Sequence, residues 1–302
     1  MKPNFRIFEV GPRDGLQNEP ALVSLKTKMG FIQGLAAAGI RDQEVGAFVR
    51  SDRVPQMADT EKVFKQLKRN SRARYWALIP NRKGLERALE SDATHLAIFT
   101  AATDSFAREN IGMSIRDSLR EFAAIFKDVK ATGRKDIEIR GYISTAFGCP
   151  FEGKVAAAKS LRVIEKLGEL GVCQVSVGDT IGVATPRGVD EVMRPALKLL
   201  GAERTAGHFH DTRGTALANA LRAIELGVTT LDSSAGGLGG CPFAPGATGN
   251  LATEDLVYML DGMGIQTGID LKALCKVSLN LARLMRRPLG SRYLQAYRAQ
   301  IG

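Results

Sequence analysis

"CQVSVGDTIGVATPRGVDEVMRPALKLLGAERTAGHFHD", residues 173–211, contains one full repeat of the pattern that decides the fold. A short apolar run, CQVSVGD, leads into GVDEVMRPALKLLG, whose apolar residues recur at helical spacing, and then into a second apolar run, AGHFHD. Gly201 stands where a helix C-cap belongs. The same unit extends in both directions. FRIFEV, DQEVGAFV, RYWALIP, HLAIFTAA and DIEIRGYIST precede it and TTLDSSAGG follows, each running into a segment of helical period. Gly39, Gly171 and Gly227 close further helical stretches. Eight strand-then-helix units in line predict a TIM-type (β/α)8 barrel. An open doubly wound sheet would carry GxGxxG after its first strand, and none is found there. The expectation is one barrel domain over residues 1–302, with a helical extension over about 271–302.

The bulk composition narrows the classes further. The chain is 44% hydrophobic and 25% charged, ordinary for a globular domain of 302 residues with a large core. No apolar stretch approaches the roughly 20 residues of a membrane span. The N-terminal MKPNFRIFEV enters a strand pattern at once, so no targeting segment is expected. The four cysteines, Cys149, Cys173, Cys241 and Cys275, form no CxxC, which argues against a disulfide framework or structural zinc and fits a reducing cytoplasm. Net charge is +10. Its basic residues are dispersed with no aromatic-rich partner, so the surplus points away from nucleic acid; plain solubility or a phosphate-bearing small molecule accounts for it.

Catalytic residues of such a barrel belong at the C-terminal strand ends and the loops that follow. Arg13 and Asp14 fall just past the first strand, in a turn set by Gly11, Pro12 and Gly15. Glu44 lies within the second strand, where a carboxylate aimed at the core costs several kcal/mol unless it is paired or functional. Ser176 and Asp179 end the sixth strand, and His208 and His210 end the seventh. Residues i and i+2 of a strand share a face, so both imidazoles can enter the barrel mouth. That spacing alone fits a metal site and an ordinary strand end equally. Their company shifts the balance: imidazoles, a carboxylate and an amide oxygen suit Mg²⁺ or Mn²⁺ with positions left for substrate. The glycine-rich AGGLGGCPFAPGATGN places Cys241 in a loop able to bring a thiol over a bound substrate, with Asn250 following it.

These segments resemble the hydroxymethylglutaryl-CoA lyase family of the DRE-TIM metallolyase barrels. The likeness runs from FEVGPRDGLQNE through VPQMAD, RGYISTAFGCPFEGK, GDTIGVATP and HFHDTRGTALAN to GLGGCPFAPGATGN and NLATEDL. The resemblance implies a retro-Claisen cleavage of a 3-hydroxy-3-methylglutaryl thioester to acetyl-CoA and acetoacetate. It implies that Asp14, His208, His210 and Asn250 bind a divalent metal, and that Arg13 neutralises the developing enolate. Cys241 matches the loop cysteine that helps protonate that enolate, and Glu44 and Asp179 match acids of the active-site hydrogen-bond network. Ser176 matches a substrate contact and Asn110 a contact to the CoA portion. The hydroxyl proton would pass to His208 or Asp179. An acyl-CoA substrate, a cytoplasmic homodimer and no membrane or nucleic-acid partner complete the expectation. For the CoA phosphates, Arg283, Arg286 and Arg287 offer i, i+3, i+4 spacing on one helix face.

The chain departs from the family after the second strand. It reads AFVRSDRVPQM where the family reads SFVSPKWVPQM, so Ala47 replaces a serine and Arg50, Ser51, Asp52 and Arg53 alter the mouth. A thioester with another 3-alkyl group is therefore an alternative substrate. A condensing relative of the isopropylmalate or homocitrate synthase kind is another reading, and the GLGGCP loop around Cys241 distinguishes against it.

Overall fold

The computed structural model describes residues 5–67, 72–240 and 249–301. Eight parallel strands close into a barrel: β1 (Arg6–Glu9), β2 (Asp42–Ala47), β3 (Arg74–Leu78), β4 (His95–Ala101), β5 (Glu138–Ser144), β8 (Val175–Asp179), β9 (Thr205–Phe209) and β10 (Thr230–Ser233). A small antiparallel hairpin, β6 (Gly148–Cys149) and β7 (Gly153–Lys154), lies between β5 and β8. β1 pairs with both β2 and β10, which closes the ring. Every strand expected from the sequence is present, and the fold is a TIM barrel.

The helices form where the periodicity places them. Ser24 caps Leu25–Ala37 by accepting from Thr27 N, and Thr185 caps Pro186–Leu200. Gly171 ends Ala157–Leu170 at φ +90°, a conformation glycine adopts without Cβ strain. The main apolar core lies between the strands' outer faces and the helices, with Ile98, Ile143, Val177 and Leu231 meeting Phe122, Ile164 and Val192. The C-terminal helices Leu271–Met285 and Arg292–Gln300 follow as expected, the first packing against Leu25–Ala37 with Val277 against Gly34.

The barrel interior is unlike that core. Asp42, Glu44, Arg140, Gln174, Ser176 and Asp232 are all buried, and hydrogen bonds link Arg140 to Gln174 and Asp232, and Asp232 to Ser176. At the closed end Asp42 accepts from Trp76 Nε1 at 3.0 Å and Arg74 Nη2 at 2.7 Å. Charge inside the barrel is thus built in layers from the bottom up, ending at the rim that carries the site.

Candidate active site

Arg13 and Asp14 sit in a five-residue π-type turn, Gly11–Gly15, closed by Gly15 N on Val10 O at 3.1 Å. Such turns are often found at functional positions. A Cβ on Gly15 would come within 2.9 Å of Leu238 Cβ, so glycine lets this turn pack against the segment after β10. Opposite, β2 carries an irregularity between Glu44 and Gly46, a device that re-aims side chains. Glu44 is fully buried, accepts from Arg13 Nε, and takes the Tyr142 hydroxyl at 2.9 Å. Burial pushes its carboxyl pKa up, against the pull of Arg13 and Tyr142. Arg13 also donates through Nη1 to Asp14 Oδ1 at 2.6 Å, and its Nη2 has no acceptor among the described residues.

Asp14, His208 and His210 converge, with candidate ligand atoms all within 4.8 Å of one another. The fourth expected ligand arrives by backbone pairing. Leu251 N donates to Phe209 O and Asp211 N to Gly249 O, both at 2.9 Å, seating Asn250 beside His210. Asn250 Nδ2 donates to Asp14 Oδ2 at 2.9 Å and Leu238 O at 3.0 Å, while its Oδ1 is buried without a partner among the described residues. A buried amide oxygen without a donor beside a carboxylate and two imidazoles is what a hard or borderline divalent cation would satisfy. His208 Nε2 and His210 Nε2 face each other at 3.2 Å. Burial, then the neighbouring His208, holds His210 down at about 4, so it is neutral. Burial opposes the charge on Asp14, but the neighbouring Arg13, helped by the Asn250 Nδ2 donor, outweighs it and holds Asp14 at about 2. Asp14 and His210 are therefore in the deprotonated forms that metal binding requires.

The scaffold beneath involves residues that the sequence reading passed over. Asp232 on β10 accepts the Ser176 hydroxyl at 2.7 Å and Arg140 Nη2 at 2.5 Å, and its Oδ2 lies 3.2 Å from His208 Nδ1. Arg140 lies over the Phe8 ring at 3.9 Å and also donates to Gln174. Glu9 ties three elements at the rim, accepting from Gly11 N, Ala235 N and Thr253 Oγ1. The argument that singled out Glu44, a charge in mid-strand, applies equally to Asp232 and Arg140 and would have found them.

Two expected residues take up different positions. Ser176 is fully buried and spends its hydroxyl on Asp232, so it is a support for that carboxylate and lines no part of the cavity. Asp179 accepts Val183 N at 2.9 Å and Ala184 N at 3.0 Å, one on each carboxylate oxygen, and fixes the loop after β8. Asn110, near the end of the helix Asp104–Ile111, does line the cavity. Cys241 lies outside the described residues; Gly240, before it, lines the same cavity and its carbonyl accepts from Asn18 Nδ2. That cavity is about 960 Å³. Arg13, Asp14, His208 and His210 contribute to its wall, as do Phe48, Phe99 and Tyr142, and the cations Arg50, Arg53, Lys83, Arg87 and Arg108. The Arg283/Arg286/Arg287 face does not form: the helix ends at Met285, and Arg287 is paired with Glu19 away from the cavity.

Fold and site together define a TIM barrel with a candidate divalent-cation centre and a buried Arg–Glu pair at its C-terminal rim. The chain belongs to the HMGL-like family, whose model matches residues 4–280. It is 45% identical over 277 residues to a hydroxymethylglutaryl-CoA lyase of Pseudomonas mevalonii, covering 92% of this chain and 91% of the relative. A hydroxymethylglutaryl-CoA lyase structure from Pseudomonas aeruginosa superposes with a TM-score of 0.94 at 41% identity, covering 99% of each chain. An HMG-CoA lyase from Acinetobacter baumannii, solved with coenzyme A and 3-methylmalate, gives a TM-score of 0.92 at 38% identity, covering 97% of this chain and 94% of that one.

Proposed function

We propose that this chain cleaves 3-hydroxy-3-methylglutaryl-CoA to acetyl-CoA and acetoacetate. The observation carrying the reading is the meeting of Arg13, paired with Glu44, and the Asp14–His208–His210–Asn250 donor set at one wall of a single large cavity. The identity to curated lyases over nearly the whole chain supports it.

Asp14, His208, His210 and Asn250 would hold the cation, Mg²⁺ or Mn²⁺. When bound, it supplies charge that lowers the pKa of the substrate's tertiary hydroxyl and fixes its geometry. Arg13 keeps two donors on Glu44 and Asp14 and offers Nη2 to the thioester oxygen, where negative charge grows as the carbon–carbon bond breaks. That charge exists only toward the transition state, so the contact raises turnover more than binding. Glu44, held by Tyr142, keeps the guanidinium plane in place. Asp179, with both oxygens on backbone N–H groups, supports the loop after β8. His208 Nε2 would serve the cation, and His208 or Asp179 would take the substrate's hydroxyl proton. Cys241, directly after Gly240, would return a proton to the enolate carbon.

At the cavity's outer part, Arg53, Lys83 and Arg108 have no acidic hydrogen-bond partner among the described residues and suit the phosphates of a CoA carrier. Arg50 and Arg53, both departures from the family sequence, line this wall. They favour a second reading in which a 3-alkyl analogue is the preferred thioester. No described helix is long and apolar enough to cross a membrane. A cytoplasmic homodimer remains part of the proposal. Purified protein with Mg²⁺ and the methyl, ethyl and propyl thioesters tests the assignment, with Cys241→Ala as control. Fastest turnover of the methyl substrate, collapsing in the variant, supports it. Faster turnover of a longer analogue transfers the assignment to that analogue.

A further inference from the structure

We propose that Asp232 is a positioning residue that fixes His208 as a cation ligand by dictating which ring nitrogen carries the proton. The inference rests on the cation reading of the site and adds a residue to it. Asp232 is buried, one residue before the end of β10. Arg140 pairs with both of its oxygens and the Ser176 hydroxyl donates to one of them, so the carboxylate is held as an ion-paired acceptor. Two donors reach Oδ2, Ser176 Oγ at 2.7 Å and Arg140 Nη1 at 3.1 Å, and His208 Nδ1 lies 3.2 Å from the same oxygen. Oδ1 takes Arg140 Nη2 at 2.5 Å.

An ionised carboxylate can only accept, so His208 must carry its hydrogen on Nδ1. Nε2 is then a bare lone pair, directed toward His210 Nε2 at 3.2 Å and toward the Asp14 carboxylate group. This is the outer-shell carboxylate arrangement that orients ligating histidines and raises their basicity. The base of the arrangement is rigid. Arg140 is clamped between the Phe8 and Tyr142 rings, at 3.9 and 4.9 Å, and holds the carboxylate through two N–H groups. Asp232 is therefore set before any ligand arrives, and it sets His208.

Asp232→Asn turns this into a test. The short Arg140 Nη2 contact on Oδ1 claims the amide oxygen, which puts the amide NH₂ where Oδ2 was. His208 Nδ1 then faces a donor and must become an acceptor, moving its hydrogen to Nε2 and removing the lone pair the cation needs. The chain has three histidines, so ¹⁵N-histidine labelling with two-bond ¹H–¹⁵N correlation resolves every ring. The wild-type protein without metal should show His208 as the Nδ1–H tautomer, and the variant should show Nε2–H. Mn²⁺ affinity, read from free Mn²⁺ by electron paramagnetic resonance, should fall roughly 10- to 100-fold. A merely structural partner for Arg140 would lower the melting temperature and leave tautomer and affinity unchanged, and that result overturns the proposal. An Nε2–H tautomer in the wild type also overturns it, and this reading needs no variant to fold. Failure of the wild type to bind Mn²⁺ instead refutes the cation reading, while the tautomer still decides the role of Asp232.

Discussion

Replacing Arg13 by Met isolates the charge placed at the reacting end of the cavity. Met retains most of the length and apolar stem of arginine and removes the guanidinium. Arg13 is 7% exposed and engages Glu44 through Nε and Asp14 through Nη1, so the change leaves two buried carboxylates without it. Glu44 is already pushed up by burial and retains the Tyr142 hydroxyl at 2.9 Å, so it answers by taking a proton. That relief keeps the folding penalty at or below the roughly 3–5 kcal/mol typical of breaking a buried pair. Asp14 loses the charge that chiefly holds it down but keeps the Asn250 donor, and a bound cation would supply the replacing charge, so it remains a ligand. The loss therefore falls on turnover. Removing one preorganised donor for a developing oxyanion costs about 3–4 kcal/mol, a factor of about 10²–10³ in kcat. Arg13→Met should show that drop with Mn²⁺ affinity within about tenfold of wild type. The assay is acetyl-CoA release at saturating Mg²⁺, alongside Mn²⁺ binding by electron paramagnetic resonance. A kcat within tenfold of wild type refutes the role, and so does a Mn²⁺ affinity that falls as far as kcat, because Arg13 would then act only through Asp14.

Asn250→Ala removes the orphaned Oδ1 and the donor to Asp14, and should weaken Mn²⁺ binding about tenfold or more; calorimetric titration with unchanged affinity would take Asn250 out of the ligand set. Burial raises Glu254 from 4.5 to about 7, against the help of Ser278 and Gly236 N. A raised carboxylate contributes stability that is complete below about 4.5 and lost as pH rises through about 7. Glu254→Gln should therefore gain on wild type by about 3 kcal/mol between pH 4.5 and 8, seen in urea midpoints, whereas parallel pH profiles would contradict the buried-acid account. EDTA should lower the melting temperature of metal-loaded protein, by an amount matching about 2.7 kcal/mol when metal stands at 100 times Kd; an unchanged transition would mean no cation binds the folded state.

The fold was legible because each barrel strand is bounded by its own punctuation. Gly39, Gly171 and Gly227 all stand at positive φ at or just past helix ends, where the sequence placed them. Asp14, His208, His210 and Asn250 were legible by position, since rim residues of a barrel converge whatever their separation in the chain. The layer beneath was harder to see. Arg140 and Asp232 are 92 residues apart, and a parallel strand buried on both faces has no alternation to mark which side an acid faces. Asp179 shows the reverse difficulty: its place at the strand end was readable, but its bonds to Val183 N and Ala184 N depend on how the following loop folds back. For the basic residues, Arg283, Arg286 and Arg287 fit one face only if the helix continues, and Arg286 at φ +56° ends it.

The central claim is cation-dependent carbon–carbon cleavage at this rim. Its most direct test is to incubate Mg²⁺-loaded protein with 3-hydroxy-3-methylglutaryl-CoA and quantify both products from one reaction by NMR. The account predicts acetyl-CoA and acetoacetate in equal amounts, with both lost on chelation and restored by added Mg²⁺. Release of free CoA with the six-carbon acid intact, or an unreacted thioester in protein shown to hold Mn²⁺, would contradict it.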